Sequence, residues 1–179
     1  MILRYRVSLP GLKGFARVYE VKSTASLYSL HKQMRADMDF PQDQVVLFKA
    51  FAPNGDVAAR YSVFQDFGLG TIDSVTFGEC HKREEDKFIY FYDTTNVKSV
   101  IVTCEGEVPE RKNTLYPVLV ETKGPNPIEF ENGYVAFEDL PDDKKKDPDD
   151  DDFDDFDDDD DSDDDDNDTE EIYGDDDDE

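Results

Sequence analysis

The 179-residue chain contains only two cysteines, Cys80 and Cys104, and only two histidines, His31 and His81. Two cysteines are too few for a disulfide framework, and they lack the close pairing of zinc-binding sequences. They read as reduced thiols. Long apolar runs are absent as well, since no stretch approaches the ~20 residues that cross a bilayer as a helix. The N-terminal MILRYRVSLPG places arginines where a signal peptide needs an unbroken apolar core. Membrane insertion and export are not expected, and the cytoplasm is the expected compartment.

Catalytic signatures are missing too. HExxH, GxSxG, P-loop and GxGxxG patterns do not occur. Gly68-Leu69-Gly70 comes nearest to a phosphate loop, but no lysine follows it. His81 follows Cys80 in GECHKREED, and on a strand such neighbours point to opposite faces, out of reach of one another. His31 falls on an apolar helical stripe, the position of a core imidazole. Glu105 and Glu107 share a strand face as solvated charge. No catalytic residue, cofactor or metal is expected, and the chain reads as non-enzymatic.

What the chain has in excess is acid. Residues 1–140 hold 16 lysines and arginines against 20 aspartates and glutamates, a balance of −4. Residues 141–179 hold 3 against 26, a balance of −23, which accounts for most of the formal charge of −27. The organisation expected is a near-neutral domain over 1–140, large enough for one core, and a separate Asp-rich tail over 141–179.

Within the body, Leu3, Tyr5, Val7 and Leu9 alternate with Arg4, Arg6 and Ser8, the period of a half-buried strand. Pro10-Gly11 and FARVYEVK (Phe15–Lys22) complete an N-terminal hairpin. Leu27, Leu30, His31, Met34 and Met38 predict one amphipathic helix, with Ser23 and Thr24 as candidate N-caps. Gln44–Ala52 is rich in strand formers, and Pro53-Asn54-Gly55-Asp56 predicts a type I′ hairpin turn. Short strands are expected at Ser74–Gly78, Lys87–Tyr92, Ser99–Glu105 and Tyr116–Glu121, with a tight turn at Asp93–Asn96. Together these give an α+β fold with a mostly antiparallel sheet.

Three features of this order carry a family resemblance: Leu30-His31 in the helix, the aromatic strand ending Tyr90-Phe91-Tyr92-Asp93, and Tyr116-Pro117. They resemble the Ri-plasmid "open reading frame three"-like family over most of Met1–Leu140. Its members are often labelled transposon-passenger or resolvase-like. That resemblance implies an α+β domain from mobile-element surroundings, without a chemistry to import. The family usually follows its Tyr-Asp pair with Phe-Gly-Asp, then a tryptophan and a histidine. Here those places hold Thr94-Thr95-Asn96, Lys98 and Val100, so any activity carried by that cluster is expected to be lost.

Function is then read from charge. Arg4, Arg6, Lys13 and Arg17 form a possible basic face on the first hairpin. The body has no basic surplus, so direct nucleic-acid binding is not expected. From Asp147 to Glu179 there are 24 acidic residues in 33 positions and no lysine or arginine. Such a segment cannot bury enough apolar area to offset its ordering entropy and is expected to be disordered alone. At ~3.3 Å per extended residue it carries about one charge per 4.5 Å, against roughly 3.4 Å along one nucleic-acid strand. Counterions therefore gather on the tail, and a basic surface that displaces them gains entropy. Phe153 and Phe156, with Ile172 and Tyr173 further on, interrupt the charge as candidate partner-binding anchors. The expected partners are basic or DNA-binding proteins, engaged by nucleic-acid mimicry. The alternative is an accessory protein of recombination or phage defence with the tail as autoinhibitor.

Overall fold

The computed structural model describes residues 1–131. Strands β1 (Ile2–Leu9) and β2 (Leu12–Lys22) form the N-terminal hairpin, followed by helix α1 (Leu27–Asp37). Strands β3 (Leu47–Phe51) and β4 (Val57–Ser62) form a second hairpin. Helix α2 (Phe77–Lys82) leads into β5 (Lys87–Asp93), β6 (Lys98–Val108), β7 (Val118–Lys123) and a short α3 (Pro127–Glu131). All seven strands join one antiparallel sheet in the order β4-β3-β5-β6-β1-β2-β7. The α+β architecture read from the sequence holds, with two short helices added to the one expected.

One face of the sheet carries the core. Tyr5, Phe48, Phe88 and Tyr90 are fully buried there, with Tyr5 against Phe77 (ring centroids 5.0 Å) and Phe48 against Tyr90 (4.7 Å). Helix α1 contributes Leu27, Leu30, His31 and Met34 to this core. Burying each of these Leu, Met and Phe side chains is worth about 1.5–3 kcal/mol relative to exposure. His31 meets the sheet through its Nδ1, 2.7 Å from the Tyr90 hydroxyl. Burial, helped by Arg35, lowers its pKa to about 4, which leaves it a neutral core imidazole at pH 7.

Three local expectations change. The N-cap of α1 is Ser26, not Ser23 or Thr24, because Ser26 is held extended by a β-bridge to Thr76. Ser74–Gly78 is not a strand, since Thr76 starts α2 with a capping box. The Thr76 hydroxyl accepts from the Glu79 amide, and the Glu79 carboxylate accepts from the Thr76 amide. The β3–β4 turn is not type I′. Pro53 cannot take the positive φ, so Pro53 and Asn54 sit centrally, the Gly55 amide donates to the Ala52 carbonyl, and Gly55 alone has positive φ (89°).

Candidate functional site

The register of the first hairpin separates the four basic candidates. Arg4 stands opposite Glu20 and Arg6 opposite Val18, whereas Arg17 stands opposite the core residue Val7. Directly opposed residues share a face, so Arg17 lies on the other side of the sheet from Arg4 and Arg6. Arg17 is buried and donates to the carbonyls of Ala16, Lys123 and Gly124 and to Asn126 Oδ1, tying β7 and the chain after it to β2. Arg4 and Arg111 both donate at 2.7 Å to one oxygen of Glu20, which is 1% exposed. Burial pushes the Glu20 carboxyl up, but the two guanidiniums outweigh it and hold it below the ordinary range. Arg6 pairs with Glu105 at 2.5 Å and with Glu121 at 3.5 Å. Lys13 is exposed, with no ion pair among the described residues. The arginines are thus committed to the body's own carboxylates and carbonyls.

A denser polar cluster gathers where α2 runs into β5. Successive helical residues are turned by about 100°, which sends Cys80 and His81 apart. Cys80 points into the core beside Arg83, and burial, then Glu85, push its thiol up to about 12. Such a thiol is neutral and weakly nucleophilic. Glu85, also buried, accepts from the Tyr61 hydroxyl at 2.6 Å and from Arg83 at 3.1 Å. Glu84 takes a positive φ of 59°, turning the chain into β5.

On the other side of this turn the His81 Nδ1 lies 2.6 Å from an Asp86 carboxylate oxygen. Strand β6 brings Cys104 to the same place, and the candidate ligand atoms of His81, Asp86 and Cys104 all lie within 4.8 Å of one another. Burial, opposed by the Gly106 amide and assisted by Asp86, keeps the Cys104 thiol above its ordinary pKa. Tyr5 is the cross-strand neighbour of Cys104 and fully buried, and its hydroxyl is directed at the Cys104 sulfur without making a hydrogen bond of full geometry. None of this constellation is visible as a spacing motif. Its local signal is Asp86 five residues after His81, across a helix end announced by the Thr76-x-x-Glu79 capping box.

Asp86 also borders an open trough of about 510 Å³ on the outward face of the sheet. Phe51, Ile89 and Ile101, cross-strand neighbours or nearly so, supply apolar lining, with Glu84 at the same end as Asp86.

The remaining sequence candidates have structural duties. Gly68 and Gly70 donate their amides to Asp66 Oδ1, so the loop is filled by its own carboxylate. Asp93 accepts from the Asn96 amide and side chain, closing the β5–β6 turn. Lys98 pairs with Glu131, which also accepts from the Tyr92 hydroxyl. Phe153, Phe156, Ile172 and Tyr173 lie outside the described residues. Among the described residues no helix is long and apolar enough to cross a membrane.

The family described as plasmid pRiA4b ORF-3-like protein matches residues 2–171, extending past Leu140, where the resemblance read from the sequence stopped. Among solved structures, a protein of unknown function from Methanosarcina mazei Go1 superposes with a TM-score of 0.58 at 21% identity, covering 68% of each chain. At that identity the likeness concerns the fold. No curated protein matches.

Proposed function

The chain belongs to the plasmid pRiA4b ORF-3-like family, and from that premise we propose that it is a non-enzymatic interaction protein, a mobile-element passenger whose acidic tail engages basic partners by imitating a nucleic-acid strand. The observation that carries this reading is the charge partition: −4 over residues 1–140 and −23 over 141–179. Two unit charges in water interact at about thermal energy near 7 Å. The tail's spacing is closer than that, so it holds counterions that a basic protein surface releases on binding. Supporting the reading, Arg4, Arg6 and Arg17 are already occupied by Glu20, Glu105, Glu121 and main-chain carbonyls. The body's hairpin therefore offers the tail little unpaired cation, which favours a partner outside the chain. The two free thiols support a cytoplasmic setting.

Full-length protein is expected to bind an immobilised DNA-binding protein, with duplex DNA as competitor and affinity falling steeply between low and moderate salt. Deleting Asp147–Glu179 should abolish that capture; unchanged capture refutes the proposal. Replacing Phe153 and Phe156 by Ser leaves the charge intact, and lost binding there assigns them the anchor. The accessory-protein alternative needs the body itself to hold nucleic acid. It predicts a mobility shift by the tail-less chain at low salt, against which the committed arginines argue.

A further inference from the structure

His81 lies in the last turn of α2, Asp86 precedes β5 and Cys104 lies in β6, yet the sheet order brings all three side chains together. We propose that they form a binding site for one divalent transition-metal ion of the zinc class, with the Tyr5 hydroxyl as an outer donor to the bound sulfur.

The donor set is one imidazole nitrogen, one carboxylate oxygen and one thiolate, each an ordinary ligand of zinc. A tetrahedral ion with bonds of about 2.0 Å to nitrogen and oxygen and 2.3 Å to sulfur sets nitrogen–oxygen separations near 3.3 Å and nitrogen–sulfur separations near 3.5 Å. The candidate atoms lie within 4.8 Å of one another, and the His81 Nδ1–Asp86 pair, at 2.6 Å, need part by only about 0.7 Å to admit the ion. The His81 and Asp86 side chains are 37% and 43% exposed and can turn by the small amount required.

Tyr5 supplies a second observation. Its fully buried hydroxyl is directed at the Cys104 sulfur and makes no hydrogen bond of full geometry, a rare state for a buried polar group. It stands beside Cys104, whose neutral thiol is a weak acceptor. Metal binding removes the thiol proton to solvent and forms the metal–sulfur bond, and the resulting thiolate is a good acceptor for the Tyr5 O–H. Such outer partners orient ligands and tune their metal affinity. Three protein ligands leave one tetrahedral position for water or a donor from solution, and Asp86 borders the apolar trough as well. The competing reading is that His81 and Asp86 form only a hydrogen-bonded pair closing α2.

Cobalt(II) is the probe, added to the full-length chain. The acidic tail also attracts divalent cations, but through oxygen alone. A thiolate-to-cobalt charge-transfer band at one equivalent, lost on adding Zn²⁺, reports the proposed site and not the tail. The band is expected to vanish in Cys104→Ser and to survive Cys80→Ala. His81→Ala should weaken binding, and Tyr5→Phe should weaken it by about 10- to 100-fold. Absence of the band, or its survival in Cys104→Ser, overturns the site and leaves the hydrogen-bonded pair. A measurement needing no variant guards against misfolding: Zn²⁺ should slow alkylation of Cys104 in the wild-type chain while Mg²⁺ does not. Equal rates with the two ions would overturn the proposal.

Discussion

His31 makes stability fall on mild acidification, by an amount that follows from its position. The imidazole is 3% exposed, its Nδ1 bonded to the Tyr90 hydroxyl, with the Arg35 charge nearby. In the unfolded chain it titrates near 6.5, and in the folded chain near 4. Between these values the unfolded state binds the proton and the folded state does not, so acidification favours unfolding. Stability from this group is complete above the unfolded value and declines as pH falls from 6.5 toward 4. From pH 7 to pH 5 the linkage relation gives a loss of about 2 kcal/mol from His31 alone. Urea unfolding at the two pH values, on the wild type and on His31→Gln, isolates it, because His81 and the carboxylates are common to both. The variant should start less stable at pH 7, having lost the bond to Tyr90. Its further loss on going to pH 5 should be smaller by about 2 kcal/mol. Equal losses in the two proteins would refute the assignment of a buried neutral imidazole.

Two further perturbations test the frame around the candidate site. Gly124 has φ 70°, and a β-carbon there would stand 2.0 Å from the Gly14 carbonyl oxygen, while Gly11 has φ 73° with nothing within 4 Å. Gly124→Ala should therefore cost more than Gly11→Ala, whose strain alone is about 1–2 kcal/mol, and equal urea midpoints would contradict the close approach. Thr76→Ala removes the capping box of α2 and should cost about 1 kcal/mol, with faster amide exchange confined to Phe77–Lys82. Unchanged exchange there would mean that packing, not the cap, starts the helix.

The parts of the fold legible in the sequence are those in which one periodicity ran unopposed. β1 alternates cleanly because one face is core and the other carries Arg4 and Arg6, and α1 shows its stripe because only one side meets the sheet. α2 was hidden for two physical reasons. It has six residues, fewer than two turns, and Val75-Thr76-Phe77 are strand formers by propensity. Its start is fixed instead by tertiary contacts, since the Thr76 bridge to Ser26 and the Gly78 amide bond to the Ser23 carbonyl seat it against the chain before α1. Gly78 permits that seating, because a β-carbon would already lie 3.0 Å from the Ser23 oxygen. The basic face failed to appear as one surface for a related reason. A charge count treats Arg17 like Arg4 and Arg6, but a single register pairing, Val7 with Arg17, assigns it to the opposite face.

The same reasoning explains why the His81, Asp86 and Cys104 cluster could not be read from spacing. Zinc motifs are recognisable when two ligands lie within a few residues on one loop or helix. Here one local pair, His81 and Asp86, spans a helix end, and the third donor arrives from β6. Cys104 reaches them because β6 lies between β5 and β1, and because its amide donates to the Asp86 carbonyl at 2.7 Å. That backbone bond ties Cys104 to Asp86 irrespective of the two side chains. Substituting either side chain therefore leaves in place the contact that brings the segments together. Loss of metal binding in Cys104→Ser or Asp86→Asn then reports the missing ligand atom, and an accompanying collapse of β6 would show that the cluster had been structural.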